Sequence, residues 1–496
     1  MKKGEQIEAE ILRLDFPNKG VAEALDETTG ETVRLRVKGV LPGQLVRCVL
    51  TKNGSGRKEA RLLEVLRPGE IETETPCPHF ARCGGCSYQT LSAEAELALK
   101  EEQVRRLLAP VLGERSAGED PAAGIPDPGA VSCLWDSALD SPLRFGYRNK
   151  MEFTWGDSEK GGPLALGLHR RGSMYDIESV TDCRIVDEDY RRILRASLAF
   201  FSPLYERGEI DFYHKTTGEG YLRHLLVRKA AYTGEILVDL VTTSQREQET
   251  LRGFADALLG LDFDGRIVGI LHTVNDARAD VVRDEGTTVL YGQDHFYEKL
   301  LGLRFRITPF SFFQTNSYSA EVLYSKVREY VQSALAVDAA DPAAPARKPI
   351  VYDLYSGTGT IAQLVASVAE RVAGIEIVPE AVEAARQNAE ENGIRNCVFF
   401  AGDVLKLVDD PAVTDAAGRP DLIILDPPRE GIHPKALPKI LAFNVEHIIY
   451  VSCKPTSLAR DLEIMLQNGY RAERVCVVNQ FPCAGHVETV CLLTKK

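Results

Sequence analysis

The chain opens with apolar and polar residues alternating at period two. Ile7, Ala9 and Ile11 begin the pattern, and it returns at Val33, Leu35, Val37, at Val46, Cys48, Leu50, and at Ala60, Leu62, Val65. That period puts the apolar set on one face of a strand. Turn formers separate the runs: Asn18-Lys19-Gly20, Gly39, Pro42-Gly43 and Asn53-Gly54. Short strands at this spacing predict a small OB-like five-stranded barrel over residues 1–68. Such barrels often bind nucleic acid, and a purely structural β-domain is the alternative.

Further along, the period changes. Residues 92–112 carry Leu97, Leu99, Val104, Leu107 and Leu108 at helical spacing. Residues 113–142 are rich in Gly, Ala, Asp, Pro and Ser with little periodicity, and are expected to form a surface insertion. Strand-like runs at 150–154, 222–228 and 235–241 place a central α+β domain over 69–308. Beyond it, strands expected at 350–354, 372–377, 397–401, 422–425, 447–451 and 476–478 alternate with helical segments. That order predicts a doubly wound, mostly parallel α/β sheet over 309–496. The stretch 487–493 would close it as an antiparallel strand.

Composition narrows the class. The chain has 496 residues, 44% hydrophobic and 26% charged, which is ordinary for globular protein. It lacks an apolar run of membrane-spanning length and a signal-like start, so a cytoplasmic location without membrane attachment is expected. A net charge of −13 argues mildly against nucleic-acid binding, but a local basic groove is compatible with an acidic total. Arg148, Asn149, Lys150, Arg223, His224 and Arg228 are candidates for such contact, with solvated surface charge as the alternative. Eleven cysteines in a chain of this type point to metal binding or catalysis rather than disulfides.

Three constellations carry chemistry. The first is Asp353-Leu354-Tyr355-Ser356-Gly357-Thr358-Gly359-Thr360, a strand, a glycine turn and a helix start, which lets backbone approach a ligand closely. Glu376, ending the next strand, suits ribose hydroxyls, and Gly402-Asp403 suits an adenine. The missing third fingerprint glycine favours S-adenosylmethionine over a dinucleotide. The second is Cys77-x5-Cys83-Gly84-Gly85-Cys86, three thiols able to wrap a metal or cluster. Cys183 is the leading fourth ligand and Cys133 its competitor; zinc with His79, or free thiols, are the other readings. The third is Cys453 at a strand end, with Asp426-Pro427-Pro428-Arg429 before it and His486-Val487-Glu488 after it. A thiol, a rigid acidic turn and a late glutamate beside strands point to covalent catalysis.

With Phe312-Phe313-Gln314-Thr315-Asn316, these motifs resemble the RNA (uracil-5-)-methyltransferases, specifically the TRAM-domain, iron–sulfur type acting on 23S ribosomal RNA. The resemblance runs from about residue 4 to 494, apart from 113–142. It implies that Cys77, Cys83, Cys86 and Cys183 bind a [4Fe–4S] cluster. It implies that Gln314, Tyr355, Thr360, Glu376, Asp403 and Asp426 line the S-adenosylmethionine site, that Cys453 is the nucleophile and Glu488 the general base, and that the first barrel is a TRAM domain. Ser356, Thr360 and Lys454 depart from residues common in the family, and none removes a group the reaction needs. Transfer RNA is the alternative substrate, and a non-catalytic, redox-responsive RNA-binding protein is the alternative of another class. A monomer is expected.

The residue types fit the chemistry. Carbon 5 of uracil is a poor nucleophile, and thiolate addition at carbon 6 gives it carbanion character. After methyl transfer a base removes the carbon 5 proton and the thiolate leaves. The target base must leave its stack to reach Cys453. A helix beginning near Thr456-Ser457, with Lys454 beside the thiol, is expected to favour the thiolate.

Overall fold

The computed structural model describes residues 1–26, 30–54, 57–113, 134–246, 250–279, 282–338 and 348–496. These form two compact units. One comprises Met1–Thr75, Ser87–Ser141 and Leu422–Lys496, the other Pro76–Cys86 and Pro142–Asp421. Cys133 and most of the expected insertion lie outside the described residues.

In the first unit, strands β1 (Gln6–Asp15), β2 (Lys19–Asp26), β3 (Glu31–Lys38), β4 (Leu45–Gly54) and β5 (Arg57–Arg67) close a barrel in the order β1-β2-β3-β5-β4. Alternation does the work here. Ile7, Ala9, Ile11 and Leu14 point inward from β1 and meet Leu35, Val37, Val46, Cys48 and Leu50. The inside of the barrel also packs against Tyr88, Leu91 and Leu99. Leu99 belongs to the helix Ala93–Leu112, capped by the Ser92 hydroxyl on the Ala95 N–H and ended by Gly113 at φ 74°.

The same unit holds five strands in the order Leu422–Leu425, His447–Ser452, Glu488–Lys495, Tyr470–Val478, Trp135–Leu139. The first two pair in parallel, and Glu488–Lys495 runs antiparallel to both of its neighbours. Two expectations need correcting. The last strand is internal rather than the closing edge, and the edge is Trp135–Leu139, which lies within the expected insertion 113–142. Its anchors are an Asp136–Arg474 ion pair at 2.7 Å and the Arg105 guanidinium 4.7 Å from the centre of the Trp135 ring. A five-residue strand beside a Pro- and Gly-rich run carries too few alternations to stand out.

In the second unit, seven strands form a sheet in the order Thr287–Gly292, Arg266–Val274, Glu235–Thr242, Leu222–Lys229, Lys150–Asp157, Leu164–His169, Ile177–Ser179. Three parallel strands, Ile350–Leu354, Arg371–Glu376 and Cys397–Ala401, form its βα portion. They feed the helices Thr360–Val365, Pro379–Glu391 and Val404–Leu407. Among the described residues no helix is long and apolar enough to cross a membrane.

Candidate active site

The first cluster of functional groups stands at the strand ends of the first unit. Leu425 pairs with Tyr450 and Ser452 pairs with Thr489. The residues just beyond, Asp426, Cys453 and Glu488, therefore share one end of the sheet, where open α/β sheets place ligands. The turn from Asp426 is held by the helix Pro455–Gln467. The Ser457 hydroxyl donates to the Arg429 carbonyl at 2.7 Å, the Asp461 carboxylate accepts from the Ile432 N–H at 2.9 Å, and Arg460 donates to the Glu430 carbonyl at 2.9 Å. Gly431, at φ 79°, has no room for a side chain: an added methyl would come within 2.5 Å of Arg460 and 2.7 Å of Asp461. The Pro-Pro-Arg-Glu-Gly run is thus shaped to present Arg429.

Electrostatics at this end run against one expectation. Burial pushes the Cys453 thiol up to about 11, with Glu488 and Asp426 adding to the rise; Arg429 opposes it by charge and by a hydrogen bond to the thiol. Burial raises Asp426 to about 7 and, with help from Asp426, lifts Glu488 far above the ordinary carboxylate range. The helix end and Lys454 were expected to favour the thiolate. Lys454 is instead exposed and is the N-cap residue of the helix. Burial and two acids outweigh a helix terminus, whose effect is about 0.3–1 kcal/mol. Arg429 is the group that opposes the rise of the thiol, and no local pattern in the sequence assigns it that role.

The second cluster is the glycine turn of the second unit. Tyr355 is held at φ 68°, a left-handed conformation that non-glycine residues adopt only where surroundings enforce it. A methyl added at Gly357 would meet nothing nearer than the Phe312 ring at 4.0 Å, so that backbone lies open to a ligand. Gly359 faces the other way and is packed on Phe399 and Ala385, 2.7–2.9 Å from where a methyl would sit. The Glu376 carboxylate accepts from the Gly357 N–H at 3.0 Å and the Val378 N–H at 2.9 Å, so it sits on the turn. The Thr360 hydroxyl lies 3.4 Å from that of Thr358, and Asp403 caps the next short helix through the Leu405 N–H. Phe312, Ile377 and Val378 are exposed apolar residues around the turn. This cradle, strained at Tyr355 and open at Gly357, fits S-adenosylmethionine.

The Gln314 loop accounts for two of the expected RNA contacts, Asn149 and Arg228. Asn149 bonds the carbonyls of Gln314 and Thr315 and the Ser317 hydroxyl, at 2.9, 3.0 and 2.8 Å. Arg228, 1% exposed, donates to the carbonyls of Thr308, Pro309 and Ser311 at 2.6–3.1 Å. Arg223, 2% exposed, serves Asn275, Ala277 and Ala279 in the same way. His224 is buried too. Asn149, Arg223, His224 and Arg228 are therefore internal ties rather than an RNA surface. Arg148 and Lys150 keep partial exposure.

The third cluster holds the expected metal ligands. Cys77, Cys86 and Cys183 are buried, and Cys83 is half-buried. Gly84 and Gly85 let the loop lie against the Leu164–His169 strand: the Gly84 N–H donates to the His169 carbonyl at 3.0 Å, and a methyl on Gly85 would press on Leu168 at 3.0 Å. Burial raises the Cys83 thiol, with Cys77 contributing, and burial lifts Cys183 to about 11, with Cys77 and Cys83 contributing. The thiols of Cys77, Cys83 and Cys183 thus sense one another. Among the described residues, however, no group of three or more His, Cys, Asp or Glu is set to hold a metal ion. The metal-ligand assignment of Cys77, Cys83, Cys86 and Cys183 is therefore not shown. In the zinc alternative, His79 Nε2 is taken up by the Asp182 N–H at 3.3 Å, while its buried Nδ1 has no hydrogen-bond partner.

The glycine cradle on parallel strands defines a Rossmann-like methyltransferase. A methyltransferase-domain profile matches residues 351–427, and a tRNA (Uracil-5-)-methyltransferase profile matches residues 417–496. An RNA methyltransferase of Clostridium tetani, its function uncharacterized, is 41% identical over 100% of this chain and 99% of its own. One from Caldanaerobacter subterraneus is 42% identical over 100% of each, and one from Oceanobacillus iheyensis 33% identical over 93% and 92%. The crystal structure of Pyrococcus abyssi tRNA (uracil-54, C5)-methyltransferase with S-adenosyl-L-homocysteine superposes with a TM-score of 0.70 over 98% of this chain and 100% of that one, at 23% identity, a likeness of fold. The chain belongs to the S-adenosylmethionine-dependent RNA (uracil-5-)-methyltransferases.

Proposed function

We propose that this enzyme methylates carbon 5 of a uridine in 23S ribosomal RNA through a covalent Cys453 adduct at carbon 6. The observation that carries the mechanism is the convergence of Cys453, Asp426, Glu488 and Arg429 at one set of strand ends. Cys453 adds to carbon 6 once its proton is lost, and Arg429 holds the sulfur and favours its anion. S-adenosylmethionine supplies an electrophilic sulfonium methyl. Glu488 takes the carbon 5 proton, and the sulfur leaves by elimination. Burial and Asp426 favour the protonated form of Glu488, so a change of local charge on substrate binding is what would make it a base. Gln314, Tyr355, Thr360, Glu376, Asp403 and Asp426 would serve the cofactor as the family resemblance implies.

Ribosomal RNA is supported by the barrel and by the cysteine motif. Cys77, Cys83, Cys86 and Cys183 would hold a [4Fe–4S] cluster, a group of four irons and four sulfides able to brace a loop or exchange one electron. Transfer RNA is the second reading, favoured by the substrate named for the Pyrococcus enzyme. Mapping 5-methyluridine in both RNAs from cells with wild-type protein, Cys453→Ala protein or none separates them. A mark in 23S RNA that vanishes with Cys453→Ala supports the proposal; a mark confined to transfer RNA, or one made by Cys453→Ala, defeats it. Iron and sulfide analysis of anaerobically purified protein tests the cluster, and protein free of both removes it.

A further inference from the structure

Residues 479–487 connect the strand Tyr470–Val478 to Glu488, and the rest of the first unit grips them unusually firmly. Lys100 donates to Asn479 Oδ1 at 2.6 Å and to the Phe481 carbonyl at 3.0 Å. Glu96, paired with Lys100 at 2.8 Å, accepts from the Cys483 N–H with both oxygens, at 2.8 and 3.0 Å. Both side chains are buried, at 0% and 2% exposure. The Cys483 carbonyl accepts from the N–H groups of Ser87 and Tyr88, at 2.8 and 2.9 Å. Cys483 itself stands at φ 67°, a strained conformation that persists only where surroundings fix it.

The grip reaches the barrel. Asn18, at φ 50° in the turn between β1 and β2, accepts the Tyr88 hydroxyl, and Gln103 donates to the same hydroxyl at 3.2 Å. Gly485 lies so close to Asn18 that an added methyl would fall 1.9 Å from its Nδ2. Three residues later comes Glu488. Burial of an ion pair and backbone strain in a segment that only needs to connect two strands is costly, and a segment that must aim a buried carboxyl accounts for both.

We propose that this segment is a strap through which the barrel turn, by way of Asn18 and Gly485, sets the position of Glu488. Asn18, Glu96 and Lys100 are then positioning residues for release of the methylated base, and the barrel takes part in catalysis as well as in holding RNA. This rests on Glu488 being the base and Cys453 the nucleophile.

Asn18→Gly tests it, because glycine keeps the left-handed turn and removes only the amide. Full-length wild type, Asn18→Gly, Asn18→Asp and Glu488→Gln are incubated with S-adenosylmethionine and transcribed 23S RNA or transfer RNA, and the covalent adduct is followed on denaturing gels. Asn18→Gly should form adduct at the wild-type rate and resolve it about ten- to a hundredfold more slowly, the scale of a base misplaced by about 1 Å. Asn18→Asp, which keeps the acceptor for Tyr88, should recover most of the rate. Adduct that resolves at the wild-type rate in Asn18→Gly overturns the strap while Glu488→Gln still accumulates adduct. Slower adduct formation alone also overturns it, making the barrel only a holder of RNA. If Glu488→Gln leaves no adduct, the base assignment itself fails and takes the strap with it.

Discussion

Replacing Arg429 by Gln should make Cys453 a weaker nucleophile by a calculable amount. The thiol already sits near 11, so only about one molecule in ten thousand carries the thiolate at pH 7. Two acids and burial push the value up, and Arg429 pulls it down. A hydrogen bond to a charged group is worth about 1.5–3 kcal/mol, and because Arg429 is exposed, solvent screening favours the lower end. About 1.5 kcal/mol corresponds to roughly one pH unit. Loss of a cation raises a thiol, so the thiolate fraction falls about tenfold at every pH below the new value. The assay is alkylation of Cys453 by iodoacetamide, followed on the Cys453 peptide by mass spectrometry across pH, since the thiolate is the reacting form. Both proteins should give lines that rise with pH, the variant displaced about one unit upward. Adduct formation on RNA should slow in proportion. Glu488→Gln is the companion test: Glu488 adds to the rise of the thiol, so the amide should move the Cys453 line downward. Superimposed lines for wild type and Arg429→Gln would refute the reasoning, and an upward shift in Glu488→Gln would contradict the part given to Glu488.

Asp426 makes a prediction about stability. Its carboxyl is raised to about 7, so the folded chain binds that proton more tightly than the unfolded one, and stability falls as pH rises from about 4 to about 7. Asp426→Asn removes this loss: its melting temperature should exceed that of wild type at pH 8, with the gain shrinking at pH 5, while methylation is lost; equal gains at both pH values would contradict it. Arg228→Ala leaves the carbonyls of Thr308, Pro309 and Ser311 without their donor and should cost about 3 kcal/mol by denaturant titration. It should leave the salt slope of RNA binding alone, whereas an RNA-contacting arginine would reduce that slope by about one. Gly359→Ala would drive a methyl into Phe399 from a left-handed backbone, so S-adenosylmethionine binding by calorimetry should weaken sharply while adduct formation with RNA, which needs Cys453, persists.

What the sequence made legible and what it hid follow one physical divide. Period-two alternation exposed the barrel because each inward residue repeats the same signal. The glycine turn and the Asp426 turn were legible because their residue types are tied to backbone conformations few others adopt. Hidden were the outcomes of competition between distant groups. Arg223 and Arg228 look like surface charge, yet a guanidinium can be buried when carbonyls from a separate loop satisfy its donors, and no local pattern announces that loop. Glu96 and Lys100 read as an ordinary pair one helical turn apart, worth a few tenths of a kcal/mol; only the fold brings the Cys483 N–H and the Phe481 carbonyl to them. The Cys453 thiol shows the divide most sharply. Its neighbours along the chain favour an anion, and its neighbours in space, Glu488 and Asp426, oppose one. Local motifs therefore singled out this thiol, while its resting charge is set by residues remote in sequence. Burial and two neighbouring acids raise the Cys453 thiol to about 11, and under the proposed mechanism that rise shields it from adventitious alkylation and oxidation until bound RNA changes the balance.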